Sequence, residues 1–365
     1  MKVIIDTDPG IDDSWALLLA IRSPEVQILG VTTLYGNVTT KMATKNALYL
    51  LELFGRPDVP VVQGSETSLT GEPQNHIADF VHGDDGFGNT RRSNPRGTAV
   101  PGKTAAEFIV ETVNAHDPRE VTVIALASAT NVAMAMRLDP GMAKRGLRVV
   151  HLGGAFRVNG NVNPAAEANV FCDPEAADEL YGSGADVTVI GLDVTERLFL
   201  TRADLDAMRT TNDESTNFLR DISEFYVQFH ERAVEPSFSG MFMHDPAAVL
   251  LAFRPDLFTI ERGAVRVECE KGALCRGQTV FDEGVKRWTF ANAWTEEGRG
   301  RVGVAVDVDA KGVMDVFRAR YEIGGGGKAR TRMVVAGVLG VVRKVGSVLR
   351  GIVPRDILSN SKREK

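Results

Sequence analysis

The chain opens with the sequence Val3-Ile4-Ile5-Asp6-Thr7-Asp8-Pro9-Gly10-Ile11-Asp12-Asp13. The apolar residues predict a buried strand, Pro9-Gly10 predicts a turn, and the residues from Asp12 to Leu19 predict a helix that begins with acids. Four carboxylates therefore follow a single strand at its carboxyl end. In an open α/β sheet, ligands bind at that end of the strands.

The acidic cluster has no basic residue near it in the sequence, since no lysine or arginine occurs from residue 3 to residue 21. A hard cation such as Ca²⁺, which takes six to eight oxygen ligands, is the natural counter-charge. Alternatively, Asp12 and Asp13 cap a helix while Asp6 and Asp8 are solvated. Four acids within eight residues favour a metal or substrate site over capping alone.

Composition indicates a globular protein with a large core, because 44% of the 365 residues are hydrophobic and 25% are charged. The three cysteines lack CxxC spacing and predict reduced thiols. Without a secretory signal or an uncharged apolar stretch of about 20 residues, the expected location is cytoplasmic. A formal net charge of −6 argues against nucleic acid as a partner.

Apolar runs alternate with helical patterns, which predicts a doubly wound α/β fold with a mainly parallel central sheet. The strand-like runs are Val3–Thr7, Gln27–Leu34, Val59–Gln63, Val121–Leu126, Val149–Leu152, Val187–Leu192, Thr259–Val267, Gly277–Phe281 and Arg301–Val308. Helical patterns cover Lys41–Leu53, Thr104–Asn114, Asn131–Met136, Asp173–Tyr181, Asn212–Arg232 and Ala310–Tyr321. Gly64–Lys103 and Ala155–Cys172 are long interruptions, which are usually functional in compact domains.

The last part of the chain differs from the rest in charge. Residues 323–365 hold ten Lys or Arg and two acids, a balance of +8. We expect a catalytic domain over residues 1–322, a glycine-rich linker over 323–332 and a tail over 333–365. The spacing of apolar and basic residues in the tail predicts a basic amphipathic C-terminal helix. It would lie on an anionic membrane surface, making the protein peripheral to the membrane, or bind a protein partner, or pack back on its own body or on a neighbouring subunit.

Three further segments carry chemistry-bearing side chains. The amide-rich loop 159–169 suits sugar hydroxyls, although asparagines also favour turns. In His244-Asp245-Pro246, Asp245 offers another oxygen ligand and His244 a proton donor, although this sequence is also typical of a helix start. In the segment 82–89, His82 is a candidate to face the site, although a flexible surface loop fits equally well.

Together these segments resemble the nucleoside hydrolase family, the inosine-uridine-preferring ribonucleoside N-glycosidases. The resemblance extends over residues 1–322 and depends on motifs that occur in the family's order. They are Asp6-Thr7-Asp8-Pro9-Gly10-Ile11-Asp12-Asp13, Gly36-Asn37, His82-Gly83, Asn161 through Asn169, and His244-Asp245.

The resemblance implies hydrolysis of the N-glycosidic bond of ribonucleosides in nucleoside salvage or catabolism, with one Ca²⁺. It implies that the metal is held by Asp8, Asp13, Asp245 and the carbonyl of Leu126. The substrate-binding residues would be Asp12, Asn37, His82, Asn161, Glu167 and Asn169. Asp8 would take a proton from a metal-bound water, and His244 would protonate the leaving base. A homodimer or homotetramer is also implied.

Two departures from the family pattern stand out. Ala127-Ser128-Ala129-Thr130-Asn131 replaces the usual Gly-Pro-Leu-Thr-Asn, and Ala168 stands where a larger aromatic residue is common.

Two rival functions stay open from the residues alone. A haloacid-dehalogenase-type phosphatase also begins with Asp-x-Asp after a strand, and a nucleoside- or ribose-binding module could keep the same groups without turnover.

Overall fold

A computed structural model describes residues 1–73, 77–208, 213–234, 238–294 and 298–323. The strands are β1 (Lys2–Thr7), β2 (Gln27–Thr33), β3 (Val61–Gln63), β4 (Val121–Ala125), β5 (Arg148–Leu152), β6 (Asp186–Ile190), β7 (Phe199–Thr201), β8 (Gly240–Phe242), β9 (Phe258–Val267), β10 (Thr279–Asp282) and β11 (Val302–Val308). The helices are α1 (Ile11–Ile21), α2 (Thr40–Leu53), α3 (Asp79–His82), α4 (Ala105–Asn114), α5 (Thr130–Leu138), α6 (Ala168–Cys172), α7 (Pro174–Gly182), α8 (Leu192–Thr195), α9 (Arg202–Ala207), α10 (Glu214–Ala233), α11 (His244–Phe253) and α12 (Ala310–Arg320). Among these helices, none is long and apolar enough to cross a membrane.

One nine-stranded sheet forms the centre of the fold, in the order β10-β9-β11-β6-β5-β4-β1-β2-β3. Its neighbours from β3 to β11 are parallel, whereas β9 and β10 join as antiparallel strands. The chain runs outward from β1 to β3 on one side and from β4 to β6 on the other. The boundary between β1 and β4 is therefore the switch point of a doubly wound sheet, and the predicted fold is confirmed.

Helix α1 lies within the core, with every residue from Ile11 to Ala20 buried. The indole nitrogen of Trp15 donates to the hydroxyl of Ser223 on α10 at 3.0 Å. The hydroxyl of Tyr321, just after α12, donates to the carbonyl of Trp15 at 2.8 Å, and the two rings meet edge to face. Because α1 is covered from several sides, its first turn has a fixed position at the end of β1.

The predicted elements are present, with bounds that differ by at most two residues. Two short helices were missed inside the long interruptions, because α3 and α6 are too short to show a helical period. Helix α6 depends on Glu167, whose carboxylate accepts from the amides of Asn169 and Val170. The predicted linker beyond Ile323 and the predicted tail helix over 333–365 lie outside the described residues.

One buried hydroxyl in the sheet has no hydrogen-bond partner. It belongs to Thr122 on β4, whose residue is 1% exposed. The contrasting case is Thr32 on β2, whose hydroxyl donates to the carboxylate of Asp6 at 2.6 Å. A buried polar group without a partner keeps its desolvation cost, whereas a paired one offsets it.

We therefore expect Thr122→Val to raise the free energy of unfolding by about 1 kcal/mol, because valine keeps the shape and removes the unpaired hydroxyl. Thr32→Val should lower it by roughly 1–2 kcal/mol, since Asp6 loses a donor. Urea unfolding followed by circular dichroism measures both. A Thr122→Val protein less stable than wild type would contradict the prediction.

Candidate active site

The site begins where β1 ends. Asp8, Pro9 and Gly10 form a turn after the strand, and α1 starts at Ile11 with Asp12 and Asp13 in its first turn. Gly10 permits a close approach here, because a Cβ atom at that position would lie 2.7 Å from the His82 ring and 3.0 Å from the amide nitrogen of Asn37. The turn is therefore enclosed by the segments that carry those two side chains.

Asn37 and Asp13 organise this turn. The Asn37 main-chain amide donates to Asp8 Oδ2 at 2.6 Å, and its side-chain nitrogen donates to Asp13 Oδ2 at 2.9 Å. Asp13 also accepts from the amide of Gly10 at 2.9 Å and from the hydroxyl of Thr7. Asp8 packs so tightly against Gly36 that a Cβ there would lie 2.0 Å from its Oδ2 atom. Both carboxylates are thus held in single orientations.

A third segment completes the acidic cluster. Asp245, in the first turn of α11, has a carboxylate oxygen that lies within 4.8 Å of oxygens from Asp12 and Asp13. All three side chains are buried. Burial and the charge of Asp13 raise the pKa of Asp12 to about 7, and burial and the charge of Asp12 raise the pKa of Asp245 well above its ordinary value. The cluster is therefore short of positive charge.

Two oxygens of this cluster, Asp12 Oδ1 and Asp245 Oδ2, are buried and have no hydrogen-bond partner among the residues that the structure describes. Across the described ranges, no lysine or arginine forms an ion pair with these aspartates. Converging carboxylate oxygens without donors suit a hard cation or a hydroxyl group of a ligand. The residues present therefore fit a metal ion with oxygen ligands.

Asp6 differs from this group, although it belongs to the same sequence motif. Its Oδ1 atom accepts from the hydroxyl of Thr32 and from the side-chain nitrogen of Asn131 at 2.8 Å. Burial raises its pKa to about 7. Asp6 thus ties β1 to β2 and α5, and the expectation that all four acids form one cluster is corrected to a cluster completed by Asp245.

A polar group follows β4 and β5. The side-chain nitrogen of Asn169 donates to the carbonyl of Leu126 at 2.9 Å and to that of Leu152 at 3.1 Å. Glu167 is buried and accepts from the amide of Gly154 at 2.9 Å as well as capping α6. The Leu126 carbonyl, predicted as a metal ligand, lies directly beyond the switch point because the Leu126 amide bonds to the Asp6 carbonyl.

Asn161 is the predicted site residue that stands furthest from these contacts. It is exposed, and its side-chain oxygen accepts from the amide of Ala168 at 2.9 Å. In the part of the chain that the structure describes, no hydrogen bond joins Asn161 to the acidic cluster. Its substrate-binding role stays a prediction.

Histidine and aromatic side chains form the side of the site next to the first turn of α1. The Ile11 amide donates to His82 Nδ1 at 3.1 Å, and the His82 ring stacks on Tyr226 with 5.3 Å between centroids. The Tyr226 hydroxyl donates to Asp12 Oδ2 at 3.1 Å. Its bond to Asp12, 214 residues away, has no signal in the sequence.

His230 and His244 extend this side. The Nδ1 atom of His230 lies 2.8 Å from the carbonyl of Tyr226, and that of His244 lies 2.7 Å from the hydroxyl of Thr195. Phe242 packs near both histidine rings. Burial lowers the pKa of His230 to about 4 and that of His244 to about 3. Both rings are therefore neutral imidazoles at neutral pH.

Comparison with known proteins agrees with this arrangement. The family model for inosine-uridine preferring nucleoside hydrolase matches residues 3–315. A probable uridine nucleosidase 2 of Arabidopsis thaliana is 44% identical over 316 residues, covering 86% of this chain and 96% of that protein. The inosine-uridine preferring nucleoside hydrolase of Leishmania major is 35% identical, covering 84% of this chain and 94% of that protein.

Solved structures of nucleoside hydrolases are also similar to this chain. A plant nucleoside hydrolase superposes with a TM-score of 0.83 at 43% identity, covering 88% of this chain and 98% of the other. A purine-preferring ribonucleoside hydrolase from Gardnerella vaginalis gives 0.79 at 33% identity, with the same shares covered. The fold and the site define a hydrolase that acts on N-glycosyl compounds. The chain belongs to the inosine-uridine preferring nucleoside hydrolase family.

We expect Ca²⁺ to stabilise the wild-type protein and to stabilise Asp245→Asn much less. A ligand at 100 times its dissociation constant adds about 2.7 kcal/mol to the free energy of unfolding, and the variant removes a charge from the acidic cluster. Thermal unfolding with and without Ca²⁺ measures the difference. The matched control is Asp117→Asn, which changes an exposed aspartate. An equal response of Asp245→Asn and wild type would exclude Asp245 as a ligand.

Proposed function

We propose that the protein hydrolyses the N-glycosidic bond of ribonucleosides to free base and ribose, and that uridine is among its substrates. The observation that carries the proposal is the convergence of Asp12, Asp13 and Asp245 beyond the switch point of a nucleoside hydrolase fold. Uridine is the choice because relatives that share 44–46% identity with this chain are named uridine nucleosidase or probable uridine nucleosidase.

Asp8, Asp13, Asp245 and the Leu126 carbonyl would hold the cation, and we propose Ca²⁺ because carboxylate and carbonyl oxygens are its usual ligands. When bound, Ca²⁺ supplies Lewis acidity that orients a water molecule and the ribose diol. The Leu126 carbonyl has two lone pairs, so the bond from Asn169 leaves one available.

Asp8 would accept a proton from the attacking water. The Asn37 amide holds its Oδ2 atom at 2.6 Å, while its Oδ1 atom is only weakly engaged, with the Asn37 side chain 3.4 Å away. One oxygen is therefore fixed and the other is free to take the proton. Because Asp8 is already held in one orientation, its side chain loses little conformational freedom when the substrate binds.

Asp12 would accept from a ribose hydroxyl. Its Oδ2 atom is held by Tyr226, and its buried Oδ1 atom has no partner. Asn37, His82, Asn161, Glu167 and Asn169 are the other proposed sugar contacts. Carboxylates and amide oxygens around the sugar stabilise the positive charge that develops on it as the bond to the base breaks. His244 would assist the departure of the base.

We expect the wild-type protein with Ca²⁺ to release uracil and ribose from uridine, and to release uracil from 2′-deoxyuridine about 10⁴-fold more slowly. The deoxy sugar leaves a site built for the 2′-hydroxyl unpaired. Liquid chromatography of the free base measures both rates. Binding of uridine without release of uracil would support the binding module, and phosphate release from sugar phosphates would support the phosphatase.

Asp8→Ala should abolish release of uracil, because it removes both the proposed proton acceptor and one of the proposed metal ligands. Its fold is checked by thermal unfolding, and Asp117→Asn again serves as the control with an exposed carboxylate changed. Near-normal hydrolysis by a folded, metal-loaded Asp8→Ala protein would refute the role of Asp8.

We also propose that residues 1–322 form the catalytic unit, followed by the linker 323–332 and the tail 333–365. A truncation after residue 323 should keep full hydrolysis, because Ile323 is still buried and bonded to Arg318. A truncation after residue 320 should unfold more easily, since it removes the bond from Tyr321 to Trp15. Activity and thermal unfolding of both proteins measure this. Loss of activity in the longer truncation product would assign a catalytic role to the tail.

A further inference from the structure

His244 is held by a side chain that no sequence motif marked. Its Nδ1 atom lies 2.7 Å from the hydroxyl of Thr195, which is fully buried at the end of the short helix α8. Within the described residues, the Thr195 hydroxyl has no other hydrogen-bond partner. Thr195 is 49 residues from His244 in the sequence and reaches it because α8 packs beside α11.

The direction of this hydrogen bond follows from the burial of Thr195. A hydroxyl carries one hydrogen, and a buried hydroxyl hydrogen needs an acceptor. If His244 donated from Nδ1, the Thr195 hydrogen would face no acceptor among the described residues. If Thr195 donates to Nδ1, both groups are satisfied. The neutral His244 ring then carries its hydrogen on Nε2.

The two neighbouring histidines, His82 and His230, differ from His244 in what fixes their tautomer. The amide of Ile11 can only donate, so Nδ1 of His82 is an acceptor. The carbonyl of Tyr226 can only accept, so Nδ1 of His230 is a donor. The main chain thus sets the tautomer of both rings. His244 is the one of these three histidines whose tautomer is set by a side chain, that of Thr195, which a substitution can remove.

We propose that Thr195 is a positioning residue that holds His244 as a hydrogen-bond donor, with its Nε2–H directed to the leaving base. This inference rests on the proposed function. The Nε2–H bond stabilises the negative charge that forms on the base when the glycosidic electron pair moves onto its nitrogen. The attacking water gives its oxygen to C1′ and a proton to Asp8, and the departed base takes a proton from solvent.

The first test reads the tautomer directly. Wild-type protein labelled with ¹⁵N-histidine is examined without substrate by long-range ¹H–¹⁵N correlation, and His244→Gln assigns the signals. We expect a protonated Nε2 and an unprotonated Nδ1 for His244. A protonated Nδ1 would overturn the proposal. This readout does not depend on turnover, so an inactive wild-type protein would refute the proposed function separately.

The second test uses two leaving groups. Thr195→Val should slow uridine hydrolysis about 10- to 100-fold in kcat, with a smaller change in KM, because a held donor acts on charge that forms in the transition state. Hydrolysis of p-nitrophenyl β-ribofuranoside should fall less than threefold, since nitrophenolate leaves without a donor. Thr195→Ser keeps the hydroxyl and should restore uridine hydrolysis to within about threefold of wild type.

The matched control is Thr122→Val, the same isosteric change at a buried hydroxyl without a partner, which should leave both rates unchanged. Equal slowing of both substrates by Thr195→Val would assign Thr195 to the fold and overturn the proposal. Unchanged uridine hydrolysis in Thr195→Val, or failure of Thr195→Ser to restore it, would overturn the proposal as well.

Discussion

Repulsion among buried carboxylates is the constraint on which the site depends. Asp12, Asp13 and Asp245 bring their oxygens within 4.8 Å of one another at 5% exposure or less, with donors for only some of them. Charges placed so close in a medium of low polarity repel strongly. Such an arrangement persists only because α1 and α11 are fixed by packing throughout their lengths. The core is therefore the support that keeps the ligands together.

Asp8, Asp12 and Asp13 are also fixed by hydrogen-bond donors. Asp8 accepts from a main-chain amide, Asp12 from a tyrosine hydroxyl, and Asp13 from an amide, a hydroxyl and an asparagine side chain. In each of the cluster's outer acids, Asp12 and Asp245, one oxygen is left without a partner. The proposed cation and sugar diol would offset the cost in stability that these unpaired oxygens carry.

The part of the site that is local in sequence could be predicted, and the part that depends on tertiary contacts could not. The opening strand, turn and helix are encoded by adjacent residues, so their order and even the position of Asp8 follow from the pattern. The resemblance to the nucleoside hydrolase family predicted that Asn37 and Asp245 belong to the same site as Asp8. The bonds from Tyr226 to Asp12 and from Thr195 to His244 join residues 214 and 49 positions apart, and no periodicity marks either donor.

Asp6 shows the same limit within the motif itself. It is two residues from Asp8, yet β1 ends at Thr7, so Asp6 stays in the sheet and pairs with Thr32 and Asn131. Spacing along the chain indicated four acids together at the carboxyl end of one strand. The end of the strand separates them into a structural acid and the acids of the site.

The contact between Tyr321 and Trp15 joins the two ends of the folded unit. During synthesis on a ribosome, Trp15 emerges early but its last covering side chain emerges some three hundred residues later. Domains generally fold as units as the chain leaves the ribosome. The helix that carries Asp12 and Asp13 therefore reaches its final packing only after residue 321 has left the ribosome, so a chain that stops before that residue would present the acids without their support.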